Sequence, residues 1–214
     1  MCPRTKEQNE IIRQQRLQQI RHTAAEVLLE KGLRMEMGDI AEKAGLGRGT
    51  VYHYYNNKIE LLEHLLQEAL EEGEALLART MREDLSPIGR LAAYARASLA
   101  SWVREPVHFI LFLYAFQYAE PLPISQPERL QREFRERLLV PVLRTIQAGA
   151  RRGELTKISP DTLFHTFMST LIGSAHARIR LAMKPEDDPL PWVEDVVHVL
   201  MKGIRHEDKI DNNR

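Results

Sequence analysis

Residues 36–62, EMGDIAEKAGLGRGTVYHYYNNKIELL, constrain the fold of this chain more than any other stretch. Ile40, Ala41 and Ala44 give a short helix an apolar face at i, i+1 and i+4. Gly45 breaks that helix, because glycine takes a positive φ cheaply. Thr50-Val51-Tyr52-His53-Tyr54-Tyr55 follows as a second helix, too short to be stable without packing. Helix, tight glycine turn and helix make a helix-turn-helix, whose second helix enters the major groove of DNA.

The second helix carries an unusual set of polar groups. Arg48, Tyr52, His53 and Tyr54 place hydrogen-bonding side chains on one short segment. Val51 and Tyr55 are four apart and face inward together. A purely structural helix has little use for three tyrosines and a histidine beside an arginine. The plain alternative is that the tyrosines are core residues with exposed hydroxyls.

Gly32, Ile40-Ala41, Ala44-Gly45-Leu46, Gly49-Thr50-Val51-Tyr52-His53-Tyr54-Tyr55, Lys58 and Leu61-Leu62 together resemble the DNA-binding domain of TetR-type transcriptional regulators. The motif covers roughly the first quarter of the chain and is specific in combination. Three positions depart from the family pattern. Gly47 replaces the frequent serine cap of the recognition helix, which glycine fills at small cost. Glu36 replaces the usual Ser/Thr cap of the helix before it. Gly38 stands where some relatives carry a basic residue, so no side-chain contact with DNA is expected from it. The resemblance implies an all-α protein of about nine helices. Residues 1–58 are expected to form the helix-turn-helix domain, 59–206 a helical effector-binding and dimerisation domain, and 207–214 a polar tail. It also implies roles. Arg48 meets a base edge or a phosphate, with Gly49 beside it. Thr50 and Tyr52 bind phosphate, His53 and Tyr54 face bases or the backbone, and Lys58 anchors a phosphate.

The chain has no net charge, but its charge is unevenly placed. Residues 1–58 hold ten Lys and Arg against seven Asp and Glu, and residues 59–214 hold twenty against twenty-three. The modest positive bias coincides with the motif, as an electrostatic footprint for nucleic acid does. Cys2 is the single cysteine, which excludes a disulfide within the chain and a cysteine-based metal site. The N-terminus lacks an apolar signal core, and the longest apolar run, around Val107–Ala119, is too short to span a bilayer. A soluble, cytoplasmic protein is expected.

Helix signals run along the remainder. A first helix is expected over 8–31, ended by Gly32. Arg13 and Arg16 near its start are either phosphate contacts or solvated charges. Asn57 and Glu60 have capping-box character, with Lys58 in the first turn of the helix they open. Ser86-Pro87 opens a helix to about Arg104, and Pro106 opens an apolar one, VHFILFLYAFQYA. Glu120–Pro127 reads as a loop, and Ser125 with Glu128 as another cap. Pro141 is expected to kink or break the helix that follows. Ser159-Pro160 and Asp188-Pro189 open the last two helices. No strand and no internal repeat is expected.

Six of the fourteen aromatic residues lie in one stretch: Trp102, Phe109, Phe112, Tyr114, Phe116 and Tyr118. Phe109, Phe112 and Phe116 share a helix face. Such a stripe is either core or the lining of a pocket between helices. The resemblance implies the pocket, for a small apolar or aromatic effector, with Phe134 and Met168 in its lining and Tyr114, Tyr118, His108 or His165 fixing a polar end. In the last two helices Ser169, Gly173 and Ala177 form a small-residue strip, with Val196, Val199 and Leu200 supplying apolar surface. The resemblance implies that these helices pair with their copies in a homodimer. Composition alone equally allows packing within one chain.

His165, His176, His198 and His206 lack metal-ligand spacing, and no metal or other cofactor is expected. There is no nucleophile motif and no phosphate-binding glycine loop, so no enzymatic activity is expected. The sequence reads as a homodimeric repressor that binds a palindromic double-stranded operator and leaves it on binding an effector. Two alternatives stay open: a DNA-binding protein whose body only dimerises or binds a protein partner, and a helical small-molecule-binding protein without specific DNA binding.

Overall fold

A computed structural model of the chain describes residues 6–116, 123–180 and 188–205. Tyr118, His206, the side chain of Phe116 and the tail 207–214 lie outside the described residues. The elements are α1 (Lys6–Lys31), a 3-10 turn (Gly32–Arg34), α2 (Met37–Lys43), α3 (Arg48–Tyr54), α4 (Lys58–Thr80), α5 (Pro87–Arg104), α6 (Pro106–Phe116), α7 (Pro127–Phe134), a π turn (Arg135–Leu139), α8 (Val140–Arg151), α9 (Pro160–Arg180) and α10 (Leu190–Ile204). With α7, the π turn and α8 taken as one continuous helix, this is the all-α layout expected. Among the described residues the sole β feature is an isolated bridge between Leu155 and Arg205.

The local punctuation explains most of the boundaries. Gly32 and Gly45 take φ of +60° and +65°, and each ends a helix there. Ser86 Oγ accepts the Gly89 N–H at 3.2 Å, and Pro87 occupies the first turn of α5. Ser159 Oγ accepts the Thr162 N–H at 3.1 Å to start α9. Asn57 Oδ1 accepts the Glu60 N–H at 2.9 Å to start α4, but Glu60 reaches back to the N–H of Asn56 rather than that of Asn57. Two expectations need correction. Ser125 does not cap α7: its N–H donates to Glu63 at 2.7 Å, and the helix starts at Pro127. Of the kink or break expected at Pro141, the break does not occur, and the helix runs on through a local irregularity. The π turn before Pro141 absorbs the proline, with the Val140 N–H donating five residues back to Arg135. The wider turn makes room for a ring that would otherwise meet the carbonyl four residues earlier.

The chain forms two compact units, Met1–Ala69 with Ile110–Pro127, and Leu70–Phe109 with Glu128–Arg214. The first is built on α1, α2, α3 and the start of α4. Ile20, Val27, Leu28, Met35, Ile40, Val51, Tyr55, Leu61 and Leu66 are buried in it. Arg21 ties α1 to α4 through Glu68 at 2.9 Å, and Gln19 donates to the Ala44 carbonyl at 3.0 Å. In the second unit α5 lies against α8, α9 and α10. Leu91, Tyr94, Leu99, Phe134, Ile146, Phe167, Leu171, Val193 and Ile204 are buried there. Gly73 allows α4 to approach the π turn closely, because a Cβ at Gly73 would sit 2.9 Å from both methyl carbons of Leu138. Arg137 and Glu74 form a two-pronged ion pair beside it, with Nε to Oε1 at 2.6 Å. No described helix is long and apolar enough to cross a membrane.

Candidate nucleic-acid interface

α3 separates its two faces. Val51 and the following Tyr55 are both 0% exposed. Tyr55 packs its ring edge-on against His64, with centroids 5.3 Å apart, and burial pushes its hydroxyl pKa up. Arg48, Gly49, Tyr52 and His53 face outward, Tyr52 at 50% exposure, while Thr50 and Tyr54 are half-buried at the edges. His53 and Tyr54 meet edge to face at 5.3 Å. The short helix therefore docks through one aliphatic and one aromatic anchor and leaves its polar side groups outward. Gly47 is its N-cap in an extended conformation with no side-chain cap, so the first amides of α3 lean on the Gly47 carbonyl.

α2 also starts without a Ser/Thr cap. Asp39 supplies the missing contact by accepting the Glu36 N–H at 2.9 Å. The same carboxylate accepts Lys31 Nζ at 2.7 Å, and these two bonds hold its pKa below the usual range. Gly38 is not an empty position. A Cβ there would lie 3.1 Å from Arg48 Nη2 and 3.3 Å from its Cζ, so the guanidinium rests against the bare backbone of α2. Lys58 is only half outward: its Nζ donates to the Leu33 carbonyl at 3.0 Å, tying α4 to the 3-10 turn. Arg13 pairs with Glu10 at 3.3 Å and Arg16 donates to Gln19 at 2.7 Å.

The residues expected to line an effector pocket are dispersed. Phe112 is buried in the first unit, where half-buried Tyr114 brings its hydroxyl to 3.1 Å from the place a Gly32 Cβ would occupy. In the second unit Trp102 packs on Phe109 at 5.4 Å, and Phe109 lies 6.5 Å from His176. Phe134 and Met168 are buried. His108 is engaged by Glu72 at 2.7 Å, and His165 is exposed beside Phe164. A cleft of about 510 Å³ opens elsewhere, between α5 and α10, over Ile88, Ala92, Val197 and Met201 with Arg96 and His198 at its edge. Its position needs the pairing of two helices about 100 residues apart, which no local pattern announces. Of the expected dimer residues, Ser169, Gly173, Ala177 and Val199 are exposed, Val199 at 70%, and Val196 is half-buried. Leu200, at 5%, packs inside its own unit. No group of three metal-ligating side chains occurs among the described residues.

Comparison with known proteins agrees with this geometry. Residues 20–65 match the family described as bacterial regulatory proteins, tetR family. The probable HTH-type transcriptional regulator ArpR of Pseudomonas putida is 37% identical over 91 residues, 42% of this chain and 41% of that protein. The chain thus spans about two fifths of the length of that relative in the match. The ketosteroid transcriptional regulator KstR2 of Mycobacterium tuberculosis shares the fold with a TM-score of 0.75 at 18% identity, over 90% of this chain and 96% of that one. AibR, solved with isovaleryl coenzyme A and operator DNA, does so with a TM-score of 0.70 at 16% identity, over 87% and 96%. The helix-turn-helix domain of this chain belongs to the TetR family of bacterial regulatory proteins.

Proposed function

We propose that the chain is a homodimeric, sequence-specific DNA-binding regulator, a repressor released from a palindromic operator by a small apolar or aromatic effector. The observation that carries this reading is the two-faced α3, with Val51 and Tyr55 buried and Arg48, Tyr52 and His53 outward. Residues 1–58 form the DNA-binding head and 59–206 the body, followed by the tail 207–214. Arg48 and His53 read bases. Thr50, Tyr52, Tyr54 and the Gly49 backbone hold the phosphate chain, and Lys58 adds one charge to it. Base contacts specify and phosphate contacts position. The exposed strip of Ser169, Gly173, Ala177 and Val199 pairs with its copy, and two heads then read two half-sites. Such a regulator works in the cytoplasm, beside the chromosome, and needs no cofactor or catalytic group.

Release by an effector requires tighter binding to the DNA-free state than to the DNA-bound one. A second reading draws support from the packing of the body. Trp102, Phe109, Phe112, Phe134 and Met168 are all buried, and His108 is already paired, as in a body that only dimerises or binds a protein. Selection from a randomised duplex library at near-physiological salt tests the main reading. Enrichment of a palindrome is expected. A folded dimer that enriches no sequence, with or without candidate effectors, would refute it.

A further inference from the structure

Gly38 sits in the first turn of α2, and Arg48 is the first residue of α3. Nothing in the sequence links them. In the fold, the arginine head lies over the glycine. A Cβ on residue 38 would come within 3.1 Å of Nη2, 3.3 Å of Cζ and 3.4 Å of Nε. Three atoms of one planar group at that range mean that the guanidinium covers the place a Cβ of residue 38 would take, rather than touching it with its tip. Arg48 has no ion-pair partner among the described residues. The carboxylate of Asp39 next to Gly38 is taken by Lys31 and by the Glu36 N–H. Asp39 still attracts Arg48 at longer range, so charge draws the arginine head toward α2 and the missing side chain at residue 38 gives it room to sit there.

We propose that Gly38 is a specificity-determining position that acts through Arg48: its bare backbone seats the guanidinium, and any larger residue there moves the donor fork relative to the base edge it reads. This rests on the reading of Arg48 as a base-contacting residue. Bidentate recognition depends on fork geometry, so a displacement of a few tenths of an ångström matters at a base edge and is tolerated at a mobile phosphate. Gly38 thus influences selectivity without touching DNA. A side chain at this position displaces a contact as well as adding one.

The full-length protein and its Gly38→Ala, Gly38→Gln and Arg48→Ala variants, together with both double variants, are taken through selection on a randomised duplex library. Their thermal unfolding is followed in parallel. Alanine favours the α2 backbone over glycine, so Gly38→Ala should unfold no lower than the natural protein. Gly38→Ala should alter base preference at one position of each half-site, and Gly38→Gln should lower discrimination there by about tenfold, as expected for a lost bidentate contact. In the Arg48→Ala background neither substitution should change the preference further. Enrichment by the natural protein that persists unchanged in both Gly38 variants overturns this proposal and leaves the regulator reading standing. Effects of Gly38 that survive removal of Arg48 overturn it too, because residue 38 then acts directly. No enrichment by the natural protein overturns the regulator reading, and the selectivity role of Gly38 falls with it.

Discussion

Lys58→Ala separates two jobs that one ammonium holds in this fold. Its Nζ donates to the Leu33 carbonyl at 3.0 Å, and its remaining donors stay available to a phosphate. Loss of a partly exposed, charge-assisted bond is worth about 1 kcal/mol of stability. For a chain of this size that lowers Tm by about 2–4 °C. Loss of a phosphate contact has a different signature. Each neutralised phosphate contributes about 0.9 to the slope of log K against log salt. A dimer loses two such contacts, so the slope should become shallower by about 1.8. Between 50 and 200 mM KCl the natural protein should then lose about tenfold more affinity than the variant. Fluorescence anisotropy on the selected operator and on a scrambled duplex, across a KCl series, measures both terms. The expected loss is uniform across sequences. An unchanged salt slope, with affinity falling only as far as the helix α4 anchor loosens, would show that Lys58 positions the head and does not touch phosphate.

Three further substitutions probe the body. Gly73→Ala gains about 1 kcal/mol of helix propensity but drives a Cβ to 2.9 Å from Leu138, and overpacking of that kind costs about 1–3 kcal/mol, so urea unfolding should show a net loss. In a Leu138→Ala background the same change should stabilise. Tyr94 is buried beside Ser98, and burial pushes its hydroxyl up to about 12 from 10.0. Both states keep the proton below pH 10. Above it the unfolded chain releases the proton that the fold retains, so this contribution to stability falls as pH rises, by about 1.4 kcal/mol at pH 11. Tyr94→Phe should remove that part of the alkaline loss in denaturant titrations at pH 9 and 11. Val199→Glu places a charge on the exposed α10 surface and should weaken self-association by at least about tenfold in sedimentation velocity, with monomer stability unchanged.

The sequence was most informative where structure is decided within four residues. Ser86, Asn57 and Ser159 accept N–H groups three positions on, and those positions are fixed by the local chain. The two faces of α3 were legible for the same reason, since Val51 and Tyr55 are one helical turn apart. What escaped depends on partners distant in sequence. The seat of Arg48 is a glycine ten positions back, Lys58 bonds a carbonyl 25 residues away, and His108 pairs with Glu72. The π turn before Pro141 has no local signature either. Proline announces that a standard turn cannot continue, but only the fold shows that the helix runs on from the π turn into α8.

The charge bias of the head overstates what DNA can use. Lys31 is held by Asp39 at 2.7 Å, Lys43 by Glu30 at 2.5 Å and Glu26 at 3.5 Å, and Arg21 by Glu68 at 2.9 Å. Exposed pairs of this kind are individually weak, so a phosphate can compete for the cation. The exchange gains little, however, because it leaves Asp39 or Glu30 ionised near the phosphate chain and repelling it. Arg16, bonded to Gln19, and Arg34, Arg48 and Lys58 form no such ion pair among the described residues. With Arg48 and Lys58 on each head contacting phosphate, and no other cation, the salt slope of a dimer reaches about −4, and less where Arg48 reads a base. Most of the positioning must then come from neutral donors, the hydroxyls of Thr50, Tyr52 and Tyr54 and the backbone amides at the start of α3, whose contacts salt hardly weakens. A slope much steeper than −4 that persists in an Arg16→Ala, Arg34→Ala variant would mean that Lys31 and Lys43 abandon their carboxylates on DNA, and that the head rearranges its own ion pairs to bind.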